Sequence, residues 1–165
     1  MASLDIKKLY KSPMFDHLTE AELTAFSAVF TQRSLGAGTT IFVENMAGES
    51  LYLIGAGTVQ ISCMLAEGEE RTLVVLGPDD IFGELAILQD APRSSTARVM
   101  EDVDLYCLSR ADFAAFCDEH QGTGLKLLRN VMKSFCDRLR QNREEYREMV
   151  LLALNERGFS ARKAK

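Results

Sequence analysis

A mainly β protein with flanking helices, its strands folded as a sandwich or jelly roll, is the fold class this sequence predicts. Three observations carry it. From Thr31 to Ser109 the chain runs as short β-rich stretches broken by glycine: TTIFVE, SLYLI, TVQISCML, RTLVVL, STARVM and VDLYCLS. Short strands at regular spacing with turn residues between them build sandwiches and rolls, not parallel α/β sheets. A helix-start signature precedes this region, and a long stretch of helical periodicity follows it.

Taken in order, residues 1–30 form a helical lead-in. Thr19-Glu20-Ala21-Glu22 has the T-x-x-E spacing of a capping box and predicts a helix running to about Phe30. The β region follows over 31–109. Ser109-Arg110-Ala111-Asp112 then opens a second helix to about Glu119, and Gly122 and Gly124 mark the next boundary. From about Thr123 to Asn155 the pattern predicts one long helix. Its stripe is Leu128, Val131, Phe135, Leu139, Asn142, Tyr146, Met149 and Ala153, with steps of three and four residues and one polar seam position. The first half packs along its own barrel. The second half carries further apolar residues, Val150, Leu151, Leu152 and Leu154, and so predicts a parallel homodimer along this helix. Residues 110–165 are thus a C-terminal helical part, and all three parts read as one domain.

Composition narrows the function classes. The chain has 165 residues, 47% hydrophobic and 26% charged, enough for one domain with a core of its own. No apolar run approaches a membrane span and no signal-peptide core opens the chain, so a cytoplasmic location without membrane partners is expected. A net charge of −5 argues against a dedicated nucleic-acid surface. The basic tail Arg157…Arg162-Lys163-Ala164-Lys165 reads as a solvated terminus. Cys63, Cys107, Cys117 and Cys136 are scattered without a CxxC pair and read as reduced thiols.

The most informative stretch is Phe82-Gly83-Glu84-Leu85-Ala86, followed by Pro92-Arg93-Ser94-Ser95-Thr96-Ala97. A phosphate needs backbone N–H donors at a helix start and a guanidinium able to clamp two oxygens. A ribose hydroxyl needs a carboxylate acceptor nearby. Gly83 lets the backbone approach the ligand, and Leu85 and Ala86 open a short helix over 83–88. Glu84 is the candidate acceptor for the ribose, Arg93 the candidate phosphate clamp, and Ser94 and Ser95 add hydroxyls beside it. A sugar phosphate whose two groups lie next to each other satisfies the set, and that describes a cyclic nucleotide.

This segment resembles the phosphate-binding cassette of the cyclic nucleotide-binding domain family, which includes catabolite activator-type regulators, protein kinase regulatory subunits and cyclic nucleotide-gated channels. Leu9 to Leu23, Ile41-Phe42-Val43-Glu44, Gly48, Leu51-Tyr52-Leu53-Ile54 and Gly57 are similar to the family's lead-in helices, early strands and turn glycines. Leu76-Gly77-Pro78-Asp79-Asp80-Ile81 departs from it at Asp79, where glycine is more usual. The resemblance implies an eight-stranded double-sheet jelly-roll barrel with the cassette at 82–97, N-terminal helices and a long C-terminal helix.

It also implies function. The expected ligand is cAMP, with cGMP the alternative because a hydroxyl after the cassette arginine, here Ser94, can meet the guanine amino group. Asn142 and Arg143, in the Arg138-Leu139-Arg140-Gln141-Asn142-Arg143 segment, are candidate base contacts. The expected role is a non-catalytic regulatory sensor whose C-terminal helix changes position on binding, passing the change to its own dimer or to a protein partner, since no DNA-binding module follows within the sequence. A ligand-independent scaffold of the same fold is the second reading. A cupin-type metal enzyme is the third, and it is weak: His17 and His120 fall outside the strands, so no metal or further cofactor is expected.

Overall fold

Two fused strands organise the β region. The computed structural model describes residues 11–65 and 68–156. The first ten residues and the basic tail from Arg157 lie outside the described residues. A 3₁₀ turn at Pro13–Phe15 leads into α1 (Glu20–Ser27), followed by β1 (Thr31–Leu35), β2 (Thr40–Phe42), β3 (Ser50–Met64), β4 (Glu70–Leu76), β5 (Ile81–Phe82), α2 (Leu85–Leu88), β6 (Thr96–Ser109), α3 (Arg110–Glu119) and α4 (Gln121–Glu156).

The strands number six among the described residues, against the eight expected, and β3 and β6 explain the difference. SLYLI and TVQISCML are the two halves of β3, and STARVM and VDLYCLS the two halves of β6. These long strands pair antiparallel from Ser50↔Ser109 to Ser62↔Thr96, with register shifts between Ile54 and Val59. Each half then takes different neighbours. β1 pairs with 103–107 of β6 and β5 with 52–53 of β3, whereas β2 pairs with 97–98 and β4 with 59–64. Counted by halves, the fold is the expected jelly roll of two four-stranded sheets, joined where β3 and β6 pass from one sheet to the other.

The glycine break read at Gly55-Ala56-Gly57 is that passage. Gly57 has φ +81°, and a Cβ there would lie 2.2 Å from the carbonyl oxygen of Asp102. Only glycine lets the two long strands approach this closely while the ladder shifts register. At the turn before β5, Asp79 adopts φ +74°, the conformation that glycine takes more easily, and its N–H donates to Ile54 O at 2.9 Å. Aspartate tolerates the left-handed region better than most residues, so the departure at 79 leaves the turn intact.

Two apolar clusters flank the paired strands. Tyr52, Ile54, Val59, Ile61, Leu76, Phe82, Val99, Val103 and Leu105 fill the barrel, with Leu35, Ile41 and Phe42 packed against them. The helical cluster centres on Phe26, fully buried and edge-on or tilted against Phe15, Phe30, Phe113 and Phe116, with centroids 4.8–6.4 Å apart. Both helix-start signals form as read. Thr19 Oγ1 accepts from Glu22 N while Glu22 Oε2 accepts from Thr19 N at 2.7 Å, and Ser109 Oγ accepts from Asp112 N. α1 ends at Ser27, short of Phe30.

α4 begins at Gln121, so Gly122 and Gly124 lie inside its first turn and do not mark a boundary. Gly124 packs against α3, where a Cβ would meet Cys117 Sγ at 2.9 Å. Leu127, outside the expected stripe, is the fully buried leucine; Leu128 is half-buried. The chain divides into two compact units at Asn130 and Val131. In the first, Asn130 Nδ2 donates to the carbonyls of Met14 and Asp16 at 3.0 and 2.8 Å. The second is the remainder of α4, on which Leu139, Tyr146, Met149, Leu151 and Leu152 are exposed.

Glu22 joins the capping box to the start of α4. Its carboxylate accepts from Lys126 Nζ at 2.8 Å and Thr123 Oγ1 at 3.1 Å, and these bonds, led by Lys126 and followed by the Thr19 backbone, lower its pKa to about 2. A carboxylate with a depressed folded-state pKa stabilises above its unfolded pKa, and that contribution is lost as pH falls towards the folded value. Between pH 4.5 and about 2 the thermal midpoint should therefore fall more steeply for the unsubstituted chain than for Glu22→Gln, as calorimetric scans across that range will read.

Candidate functional site

The cassette closes on a buried arginine. Three segments converge on it: the β2–β3 loop, the turn between β5 and α2, and the strand-like run before β6. Backbone bonds in both directions hold Arg93 to the loop, from Arg93 N to Met46 O and from Asn45 N to Arg93 O, each 2.8 Å. Pro92 forms an isolated bridge with Ala47 in the same alignment.

The side chain turns inward and is only 7% exposed. Its Nη1 donates to Ser50 O at 2.9 Å and to Gly83 O at 3.4 Å. Its Cζ lies 4.1 Å from the Phe42 ring centroid and 5.7 Å from that of Tyr52. Nε is buried without a hydrogen-bond partner, and among the described residues no carboxylate pairs with this cation. Burial pulls the guanidinium pKa below its ordinary value, Tyr52 opposes that shift and Arg110 adds to it. A buried cation without a counter-charge is costly, and an anion that reached it would relieve the cost.

Of the other expected site residues, Gly83 lies against the guanidinium. Gly83 has φ +72°, and a Cβ there would meet Arg93 Nη1 at 2.7 Å and Ser50 O at 3.1 Å. Glu84 is 6% exposed and precedes the four-residue α2, which is shorter than the expected 83–88 helix. Leu85 is half-buried and Ala86 buried; the Ala86 N–H donates to Gly83 O at 3.1 Å, so the turn itself uses that donor. Ser94 is exposed and Ser95 half-buried. Thr96 Oγ1 accepts from Glu44 N at 3.1 Å and thereby pins the β2–β3 loop. Asn142 and Arg143 lie on α4 in the second unit, both exposed, with Arg143 paired to Glu144 at 3.2 Å. His17 sits in the turn after the 3₁₀ segment and His120 caps α3 against Phe116.

Several contributors escaped the sequence reading. Gly48, read as a turn glycine, is where the backbone passes the guanidinium: a Cβ there would lie 2.5 Å from Arg93 Nε. Phe42 and Tyr52 form an aromatic face beneath it. Arg110, read only as part of a helix start, ties the cassette to α3. Its Nε donates to Ala86 O at 2.6 Å, its Nη2 to Gly48 O at 2.5 Å, and its Nη1 pairs with Asp90 at 3.0 Å. The signal for these roles was absent locally, because the carbonyls that Arg110 holds lie 24 and 62 residues away in sequence.

The sequence profile of the cyclic nucleotide-binding domain matches residues 32–120, which hold β1 to α3 and the entire cassette. The chain belongs to the cyclic nucleotide-binding domain family. Its relatives include the cyclic AMP receptor protein of Thermus thermophilus, 36% identical over 104 residues, which are 63% of this chain and 48% of that protein. The crystal structure of the Thermus thermophilus catabolite activator protein matches with a TM-score of 0.76 at 30% identity, covering 89% of this chain and 72% of that one. The regulatory domain of Toxoplasma gondii PKA, solved with cAMP, matches with a TM-score of 0.62 at 35% identity, covering 67% and 42%. The chain spans about half the length of the curated relatives it matches.

Within this cyclic nucleotide-binding domain, Arg110 is the tie between cassette and helix. Arg110→Ala should lower folding stability by about 1–2 kcal/mol through loss of its carbonyl bonds, with Arg110→Lys intermediate, as read by urea denaturation. An unchanged midpoint would show that those bonds carry no net stability.

Proposed function

We propose that this chain is a non-catalytic cAMP sensor acting in the cytoplasm. The observation that carries the reading is Arg93: a nine-tenths-buried guanidinium with an unpartnered Nε and, among the described residues, no carboxylate partner, at the position where the cassette needs its phosphate clamp. The cyclic phosphate seats on Arg93 and on backbone groups of Gly83 and Leu85, with Ala86 beside it. Glu84 accepts from the ribose 2′-hydroxyl, and Ser94 and Ser95 supply hydroxyls beside the phosphate. The names of the Thermus relative and of the Toxoplasma complex both support cAMP. The exposed Ser94 favours cGMP as the second reading, since its hydroxyl is available to a guanine amino group.

The sensor reading extends to α4. Asn142 and Arg143 meet the base, and a ligand that contacts α4 in only one of its positions shifts the population towards that position. The exposed Leu139, Tyr146, Met149 and Leu152 support a homodimer along α4, through which the change reaches a partner. Titration calorimetry with cAMP and cGMP, on protein unfolded and refolded to strip carried-over nucleotide, tests the reading. Micromolar or tighter cAMP binding, stronger than cGMP, is expected; stronger cGMP binding reverses the specificity. No heat from either would leave the fold as a ligand-independent scaffold.

A further inference from the structure

We infer that Phe42 is a positioning residue for the phosphate clamp, an inference that rests on the nucleotide-binding reading above. A cationic clamp buried before its ligand arrives must be stabilised by something. A carboxylate would do this, but it would repel the incoming phosphate and would have to be displaced. In this chain the ring face of Phe42 occupies that place, 4.1 Å from the guanidinium carbon. The negative face of an aromatic quadrupole attracts a cation without carrying a net charge. It therefore holds Arg93 in place and leaves the positive charge available to the anion.

The surroundings fix that ring. Phe42 ends β2 and tilts against Tyr52 and Phe82, each with its centroid 5.9 Å away, while Tyr52 and Phe82 stack at 5.0 Å. These three rings form a platform in which Phe42 lies nearest the guanidinium, at 4.1 Å against 5.7 Å for Tyr52. The opposite constraint comes from Gly48, whose missing side chain leaves room for Arg93 Nε. Two carbonyls hold Nη1 from the side. The guanidinium is thus oriented before binding, and the ordering cost that a free arginine would meet on clamping phosphate is already met.

Phe42 also packs against the barrel core, so a plain truncation would mix packing with electrostatics. Replacing Phe42 by pentafluorophenylalanine keeps the shape and reverses the quadrupole. In the full chain this replacement should weaken cAMP binding about 3- to 30-fold by calorimetry, the range of a desolvated cation–π contact. In an Arg93→Ala chain the same replacement should change the affinity less than about twofold, since no cation remains to respond. Phe42→Tyr should bind nearly as well as the unsubstituted chain. Unchanged affinity for the fluorinated chain, or an equal loss with and without Arg93, would overturn the inference. Absence of cAMP binding by the unsubstituted chain would instead count against the nucleotide reading. The contact is then read from urea denaturation of the ligand-free chains, where fluorination should lower the midpoint only when Arg93 is present, and an equal shift in both overturns it.

Discussion

Arg93→Ala should leave the fold intact and weaken cyclic nucleotide binding about 30- to 150-fold, the equivalent of about 2–3 kcal/mol. The affinity falls because the substitution removes a charge-assisted clamp from a site that excludes most water, where such bonds are strongest. The fold survives because, among the described residues, Arg93 has no ion-pair partner to strand. What the protein loses is the pair of bonds to Ser50 O and Gly83 O and the contact with Phe42, and it is relieved of a buried charge. Calorimetry and thermal scans on the same preparation separate the two effects. Retained affinity would place the ligand elsewhere, and loss of the folding transition would make Arg93 a structural residue first.

Gly48→Ala should weaken binding nearly as much, about 10- to 100-fold, although it adds one methyl group and removes nothing. The added carbon would lie 2.5 Å from Nε, 2.8 Å from Cδ and 2.9 Å from Cζ of Arg93. All three belong to the far end of a long side chain, so the guanidinium moves and the backbone does not. Gly48 needs no left-handed conformation, so alanine is not strained there and should leave folding stability within about 1 kcal/mol of the original. Residues that act through one contact are not additive. In an Arg93→Ala chain, Gly48→Ala should therefore cost almost nothing further. Comparable losses in both backgrounds would show that Gly48 acts on the ligand by another route.

What was legible in the sequence was what neighbouring residues decide together. The capping box at Thr19 and the helix start at Ser109 are satisfied within three residues, and both formed as read. The cassette was legible because glycine, carboxylate and arginine follow one another in a single segment, and the structure sets Gly83 against Arg93 with Glu84 buried next to it in the chain. Among the described residues, the eight expected strands run as six continuous ones where a local signal had a nonlocal meaning. Gly55 and Gly57 looked like a break, yet β3 runs through them because Asp102 and Val103 of β6 press against that point. Gly48 misled in the same way: its neighbours suggested a turn, while the atom that excludes a side chain belongs to Arg93, far along the chain. Gly122 and Gly124 looked like a boundary, yet both lie inside α4, where Gly124 packs on Cys117 of α3.

The site's aromatic face and the Arg110 tie were illegible for a related reason. Phe42 and Tyr52 alternate with apolar neighbours in strands, where an aromatic residue signals core packing first. Only the fold reveals that both face a cation.

The most direct measurement is a crystal structure of this chain with cAMP. The account expects a cyclic phosphate oxygen within about 3 Å of the Arg93 guanidinium and the ribose 2′-hydroxyl on Glu84. A nucleotide bound with its phosphate away from Arg93, and with that guanidinium still unpartnered at Nε, would contradict it.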